Sequence, residues 1–427
     1  MSILTSLYTG ASGMSAHGGA ISIVGDNIAN VSTFGYKRSR AAFADVLGGS
    51  LKGQRLGAGV RLGGVDQQFE QGAVQQTGGT LDLAIRGRGM FTVSGTHDGR
   101  AAQYYTRDGR FSLDNSGHVV DARGLRLQGY LVDPAGVAAT APGDLQLAGN
   151  ASPPVATALA NVSLNLDAAA TPPAAWDPTN PQATSNYATS ATVYDSLGAP
   201  HRVDLYFRAQ GAGAWEWHAM VDGGELTGGT AGTPTEIANG TVQFTPTGAL
   251  DTEAMAASSA DFLGATPGQA ISFDFGDAIT TDGGTGLAGS TQFAGSSAVN
   301  ALDIDGHGFG QLVDVVVDED GTISGIFDNG ETRALARVAL AVFGDEEGLV
   351  RAGDGLYAET SASGQPLLAA AATGGRGAIS GGALEASNVE LGDELVTLIA
   401  YQRAFQANVK TVTTADEMMS EISNLKR

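Results

Sequence analysis

Apolar positions recur along the last stretch of the chain in alternating steps of four and three. The series runs Leu391, Leu395, Leu398, Gln402, Phe405, Val409, Val412, Asp416, Met419 and Ser423. A 3.5-residue repeat of this kind draws a seam along one face of a helix that packs on another helix. Gly392 is the only glycine from Leu391 onward and proline is absent, so the pattern predicts one long helix. Ser387 and Glu390 have the spacing of a capping box at its start, and Lys426 and Arg427 place cations where the helix dipole favours them.

The first residues carry a matching seam: Leu4, Leu7, Ala11, Met14, Gly18, Ile21, Gly25, Ile28 and Ser32. Its glycines (Gly10, Gly13, Gly18, Gly19 and Gly25) weaken an isolated helix by about 1 kcal/mol each against alanine, yet suit close backbone approach. Asp26 is the only charged residue from Met1 to Tyr36. Two readings stay open: terminal helices that close one core, or helices that pack against further copies.

Between the helices the period changes to two. Asn27 to Gly35 forms a turn-rich exit, Ala41 to Leu47 is a short apolar segment, and the glycine-rich residues 48–64 suggest an extended linker spanning about 36–70. Leu81, Leu83 and Ile85 alternate with Asp82 and Ala84 before Met90–Val93, and further strands surround Asp-Gly and Ser-Gly turns up to about residue 145. Proline-rich sequence then introduces a second set of strands, at Ala191–Tyr194, Val203–Phe207, Trp215–Val221, Val242–Phe244 and Ile271–Phe275, with all three tryptophans among or just before them. Strand patterning resumes at Asp314–Val317, Ile323–Phe327, Arg337–Phe343 and Leu356–Ala358. The predicted fold is mainly β with terminal α-helices, in nested discontinuous domains. Residues 1–70 and 385–427 form a helical domain, 71–145 and 296–384 a shared β-domain, and 146–295 an inserted β-domain.

With 427 residues the chain exceeds what one core usually holds. It has no cysteine, which excludes disulfides and thiolate chemistry. No apolar run is long enough to span a membrane, and no basic region followed by an apolar core marks a Sec signal. Glycine, 62 residues, is about twice its usual share of roughly 7%. The net charge of −22 is unevenly placed: +4 over residues 1–126, −22 over 127–332 and −4 over 333–427. No basic face is available for phosphates, so nucleic acid is not expected as a partner. The insert should be well solvated and self-repelling.

Candidate chemistry is sparse. The six histidines (His17, His97, His118, His201, His218 and His307) show no metal-ligand spacing. Asp303-Ile-Asp-Gly-His-Gly308 loosely follows a calcium loop, but Asp-Gly is first a hairpin-turn signal and strands flank it. Gly87-Arg-Gly89 precedes a strand and is no phosphate loop. No catalytic residue, metal or cofactor is expected, and no enzyme; a calcium-dependent β-rich adhesin is the alternative from a different class.

Three stretches carry a resemblance: Asn27-Ile-Ala-Asn-Val-Ser-Thr-Phe-Gly-Tyr-Lys-Arg-Ser-Arg40; Leu81–Phe91 with Tyr105–Leu113 and Leu125–Tyr130; and Tyr401-Gln-Arg-Ala-Phe-Gln-Ala-Asn408. They resemble the N-terminal signature, the shared β-domain and the C-terminal signature of the bacterial flagellar rod and hook axial proteins, and cover a little over half of the chain. Met90 stands where a second aromatic is more usual. The distal rod protein is shorter and lacks a large insert, whereas Ala191–His201 and Trp215-Glu-Trp217 are similar to the outer domain of the longer, hook-type members. The resemblance implies self-assembly into a helical polymer that transmits torque in motility. It implies partners among the hook cap, distal rod and hook–filament junction proteins, and export through the flagellar type III apparatus to an extracellular appendage. The residues it marks for assembly are Asn27, Asn30, Gly35, Leu391, Leu395, Leu398, Gln402, Arg403, Phe405, Gln406 and Asn408. Gln402, Asp416 and Ser423 would fix register if the seam is buried, and would face solvent if it is not.

Overall fold

The computed structural model describes residues 3–51, 54–147 and 151–425. The chain divides into two compact units, Met1–Asn150 with Asp314–Ile326 and Thr332–Arg427, and Ala151–Val313 with Phe327–Glu331.

In the first unit a 27-residue helix, Ile3–Ala29, packs along a 35-residue helix, Leu391–Leu425. Small side chains on one stripe of the N-terminal helix permit this. Its buried positions are Gly10, Gly13, Ala16, Ala20, Val24 and Asn27. A methyl group on Gly10 would stand 2.8 Å from Cγ2 of Val412 and 3.3 Å from the carbonyl oxygen of Asn408. The helix propensity lost at such glycines is offset by the approach they allow.

The covered face of the C-terminal helix runs Glu394, Leu398, Tyr401, Phe405, Asn408, Val412 and Ala415, again in steps of four and three. Leu398, Phe405 and Val412 belong to the seam predicted from apolar spacing. Leu391, Leu395, Gln402, Asp416 and Met419 of that seam are exposed. The difference has a physical cause: two polar residues can be covered because each has a partner. Nδ2 of Asn27 donates to Glu394 at 3.2 Å, and Nδ2 of Asn408 donates to the Ala404 carbonyl at 2.8 Å.

Ser387 is not the cap. The helix begins at Leu391, and Oγ of Ser387 accepts from the Val389 amide at 3.3 Å. Lys426 and Arg427, expected at the C-terminal end, lie outside the described residues, as does the side chain of Ser423.

Residues 36–70 are not a free linker. They contain a long antiparallel hairpin, Ser39–Leu51 against Gln54–Gln67. It lies on the N-terminal helix, with the Val60 amide donating to Oγ of Ser12 at 3.2 Å. Gly59, at φ +115°, passes against Ser12 and Thr9 where no side chain would fit. Backbone pairing, which glycine does not prevent, orders the segment.

The β part of this unit interleaves sequence from both sides of the second unit. Thr332–Val342 pairs with Arg126–Leu131 and with Met90–His97. Leu83–Arg86 pairs with Ala378–Gly381, and Val74–Gln76 with Ala383–Glu385. Neither segment closes its core alone: Tyr105 meets Phe343 edge to face at 4.8 Å.

The second unit is a five-stranded antiparallel meander, Tyr187–Tyr194, Pro200–Gly211, Ala214–Asp222, Pro234–Phe244 and Leu250–Ser258. A three-stranded sheet places Leu159–Asn165 between Ser272–Asp274 and Ala298–Ile304. Alternation buries Val203, Leu205, Phe207 and Ala209 on one strand against Trp215, Trp217, Phe273 and Phe275. Because Ala298–Ile304 pairs here, the unit extends to Val313 and not to the expected 295. It holds 18 acidic residues against Arg202, Arg208 and no lysine.

Two glycines of the N-terminal helix should respond oppositely to substitution. Gly10→Val is expected to weaken the helix pair by about 1–3 kcal/mol despite better helix propensity, because the added atoms meet Val412 and the Asn408 backbone. Nothing lies within 4 Å of a methyl group at Gly25, so Gly25→Ala should stabilise by up to ~1 kcal/mol. Denaturant melts followed by circular dichroism read both signs.

Candidate functional site

The N-terminal signature folds into a corner stitched by side chains. Asn27 sits in the last turn of its helix and is buried. It pairs with Ser39 as a strand would: Nδ2 donates to the Ser39 carbonyl at 2.8 Å and Oδ1 accepts the Ser39 amide at 2.9 Å. The second contact of its amide, to Glu394, ties the exit of one helix to the entry of the other. Asn30 donates to the Asp26 carbonyl at 2.9 Å and accepts from Thr33 at 3.1 Å, which closes the helix end. Gly35, at φ +68°, turns against the Arg107–Asp108 backbone, where a side chain would collide.

Behind this turn lies a buried ionic triad. One oxygen of the Glu385 carboxylate accepts from Nζ of Lys37 at 2.6 Å and the other from Nη1 of Arg107 at 3.0 Å. Further partners surround the three groups, although Nε of Arg107 is buried without a hydrogen-bond partner among the described residues. Lys37 also donates to the Glu70 carbonyl at 2.7 Å, Arg107 to the Gly87 carbonyl at 2.7 Å, and the Gly72 amide to Glu385 at 2.8 Å. Burial holds the Lys37 ammonium below its usual range, against the pull of Glu385, and the Arg107 charge adds to the lowering.

Asn388 repeats the motif on the C-terminal side. Its Oδ1 accepts the Arg38 amide at 2.7 Å, and Nδ2 donates to the Gln68 carbonyl at 2.8 Å. At the rim, Oη of Tyr36 donates to Asp26 at 3.1 Å, Arg351 donates to Asp26 at 3.2 Å, and the Arg351 guanidinium lies 5.2 Å from the centre of the Tyr36 ring. Burial pushes the Tyr36 hydroxyl up to about 12, with Arg351 opposing the rise and Asp26 adding to it. Burial also raises Tyr357, whose hydroxyl donates to Gln67 at 3.1 Å, and Tyr105 beside Glu359.

The C-terminal signature does something different. Phe405 and Asn408 face the N-terminal helix. Tyr401 meets His17 and Phe43 at ring distances of 5.9 and 5.8 Å and so joins both helices to the hairpin. Gln402, Arg403 and Gln406 are exposed. Large apolar side chains are exposed beside them: Leu4 and Tyr8 on one helix, and Leu391, Leu395, Val396, Ile399, Met418, Met419 and Ile422 on the other. Val396 retains 68% of its full accessibility and Tyr8 67%, values that a helix closing an ordinary core would not leave. A groove of about 340 Å³ beside the pair is lined by Ser6, Ala407, Lys410, Thr411, Thr414, Ala415 and Met418.

The acidic turns are engaged locally. Asp305 accepts the amides of Ala158 and Leu159, and Asp320 accepts the Thr322 amide and pairs with Arg337 at 2.8 Å. Apolar spacing did not point to Lys37, Arg107, Glu385, Asn388 or Glu394. Lys37 and Arg107 do lie within two stretches that carry the resemblance, Asn27–Arg40 and Tyr105–Leu113, and lysine is scarce, since only Lys37, Lys52, Lys410 and Lys426 occur.

Terminal helices with uncovered apolar faces, carried on a β-body stitched at one corner, define a class of self-associating axial subunits, and sequence comparison agrees. Residues 7–37 match the flagella basal body rod protein family, 84–155 the D1 domain of flagellar hook protein FlgE/F/G, 165–307 the flagellar basal body protein FlaE D2 domain, and 380–425 the FlgEFG C-terminal family. The flagellar hook protein FlgE of Escherichia coli K12 is 32% identical over 97% of this chain and 98% of its own length. That of Borreliella burgdorferi is 32% identical over 99% and 100%. A crystal structure of Helicobacter pylori flagellar hook protein FlgE2 aligns with 71% of this chain at 15% identity and a TM-score of 0.46. The chain belongs to the flagellar hook protein FlgE family.

Two outcomes follow for the corner. Glu385→Ala leaves two buried cations without a counter-charge and should cost about 3–5 kcal/mol. Lys37→Met removes a cation that burial disfavours, leaves the Arg107 pair, and should cost only about 1–2 kcal/mol; chemical denaturation separates the two. In alkali the three raised tyrosines dominate. Each ionises more readily unfolded, at about 10, so the stability they carry is intact below pH ~10 and is lost as pH rises towards 12. Lys37 works the other way, since its lowered value makes stability rise with pH up to its usual 10.5. Three groups against one give a net loss, and Tyr357→Phe should flatten the fall between about pH 9 and 12 in denaturant melts at stepped pH.

Proposed function

We propose that the chain is a structural subunit that assembles head to tail into a helical tube, the flagellar hook, a curved and flexible coupling that passes torque from rod to filament. The observation that carries this reading is the uncovered apolar surface of the terminal helices, which the chain itself does not cover. A contact between two different patches, repeated without closure, gives a helical polymer. In this reading residues 1–70 and 385–427 form the assembly domain, and the assembly is completed by the hook cap, distal rod and hook–filament junction proteins. Export by the flagellar type III apparatus to the cell exterior is consistent with a chain in which no helix among the described residues is long and apolar enough to cross a membrane.

Mechanical compliance has a physical source in the charge distribution. The second unit, rich in carboxylates and free of lysine, would keep neighbouring copies from locking together, because like charges repel within about a Debye length. The stitched corner instead holds each subunit's helices to its own β-body while contacts between copies change.

Electron microscopy of concentrated purified protein tests the reading. Tubes are expected from the intact chain and none from a chain ending at Glu390, whose β-units should still melt cooperatively. An intact chain that stays monomeric, with both helices resistant to protease, would contradict it.

A further inference from the structure

The face of the C-terminal helix turned away from its partner carries an ordered charge pattern. Stepping by three and four from Asp393 through Val396, Ala400, Arg403 and Ala407 leads to Lys410, Thr414, Glu417 and Glu421, a second 3.5-residue seam. All of these residues are exposed except Thr414, which is half-buried in the groove. The charges run acidic, basic, basic, acidic, acidic. None of the five charged groups takes part in an ion pair within the described chain.

Resting on the self-assembly reading, we propose that this seam is the contact between neighbouring copies, and that the neighbour's helix lies parallel to it, shifted by 17–18 residues. In a tube all copies point the same way, so helix contacts along it are parallel. In register, such a contact would oppose Asp393 to Asp393, Arg403 to Arg403 and Lys410 to Lys410, and like charges repel. A shift of 17 residues sets Asp393 against Lys410, and one of 18 sets Arg403 against Glu421. The same shift seats Val396 over Thr414, which lines the groove of about 340 Å³ together with Ala407, Thr411 and Met418. At 1.5 Å per residue the stagger is about 26 Å. A shift of 10–11 residues also pairs opposite charges, Asp393 with Arg403 and Lys410 with Glu421, but it places the Arg403 guanidinium over Thr414, in the groove that the Lys410 cation also lines. Burial there disfavours it.

Charge exchange on the full-length protein tests the contact, with assembly followed by sedimentation and electron microscopy. Lys410→Asp and Asp393→Lys should each raise the concentration needed for assembly about tenfold. The double variant D393K/K410D should return it to within about twofold of the unaltered chain. Circular dichroism of the monomers checks that the helix is intact. Should a reversal unfold it, D393N and K410Q read the same contact: each alone raises the critical concentration, and combining them adds nothing further. Single variants that assemble normally, a double variant as impaired as the singles, or rescue of Asp393→Lys by Arg403→Asp instead would overturn the stagger and leave self-assembly standing. If the unaltered chain never assembles, the functional reading itself fails.

Discussion

The buried carboxylate of Glu385 is the point on which the first unit depends. Two cations converge on it from residues 348 and 278 positions away in sequence, and the backbone of Gly72 donates to it as well. A buried ion pair is weak evidence for net stability, because desolvation opposes the Coulomb gain. Its effect here is geometric. Lys37 leaves the helix-exit turn, Arg107 leaves the β-body and Glu385 ends the strand that leads towards the C-terminal helix, so one carboxylate sets three chain segments in a single arrangement. Asn27 and Asn388 extend that arrangement by taking the place of backbone partners.

What this corner holds in place is a helix pair with one finished face and others left open. The finished face is built from glycine and alanine on one helix and from mixed polar and aromatic residues on the other. The open faces carry leucine, isoleucine and methionine, as in a surface that awaits a partner. Charge complements this division: the helices carry few charges in ordered positions, whereas the second unit carries many of one sign. On the proposed assembly, attraction between copies would lie at the termini and repulsion in the insert.

Much of this was legible in the sequence. The 3.5-residue repeats gave both helices, and alternation gave most of the strands, including those that return after the insert. The register of the covered seam was not legible, because Glu394 is buried and Asn408 half-buried through hydrogen bonds that a count of apolar positions cannot see. The hairpin at 39–67 was hidden by its glycines, which read as a linker although backbone pairing tolerates them. The end of the second unit was placed too early because the exposed strand Ala298–Ile304 gives little apolar signal of its own. Glu385, Lys37 and Arg107 share no local motif, and only the fold brings them together.

Methionine oxidation tests most directly whether the open helix faces are contacts between copies. Met418 and Met419 are exposed in the single chain, and so is Met255 in the second unit. In monomer all three should oxidise readily; in the assembled polymer Met418 and Met419 should be protected while Met255 continues to react. Equal oxidation of Met418 and Met419 in monomer and polymer would mean that the helices stay open to solvent after assembly, and would contradict their role as the surfaces that join the subunits.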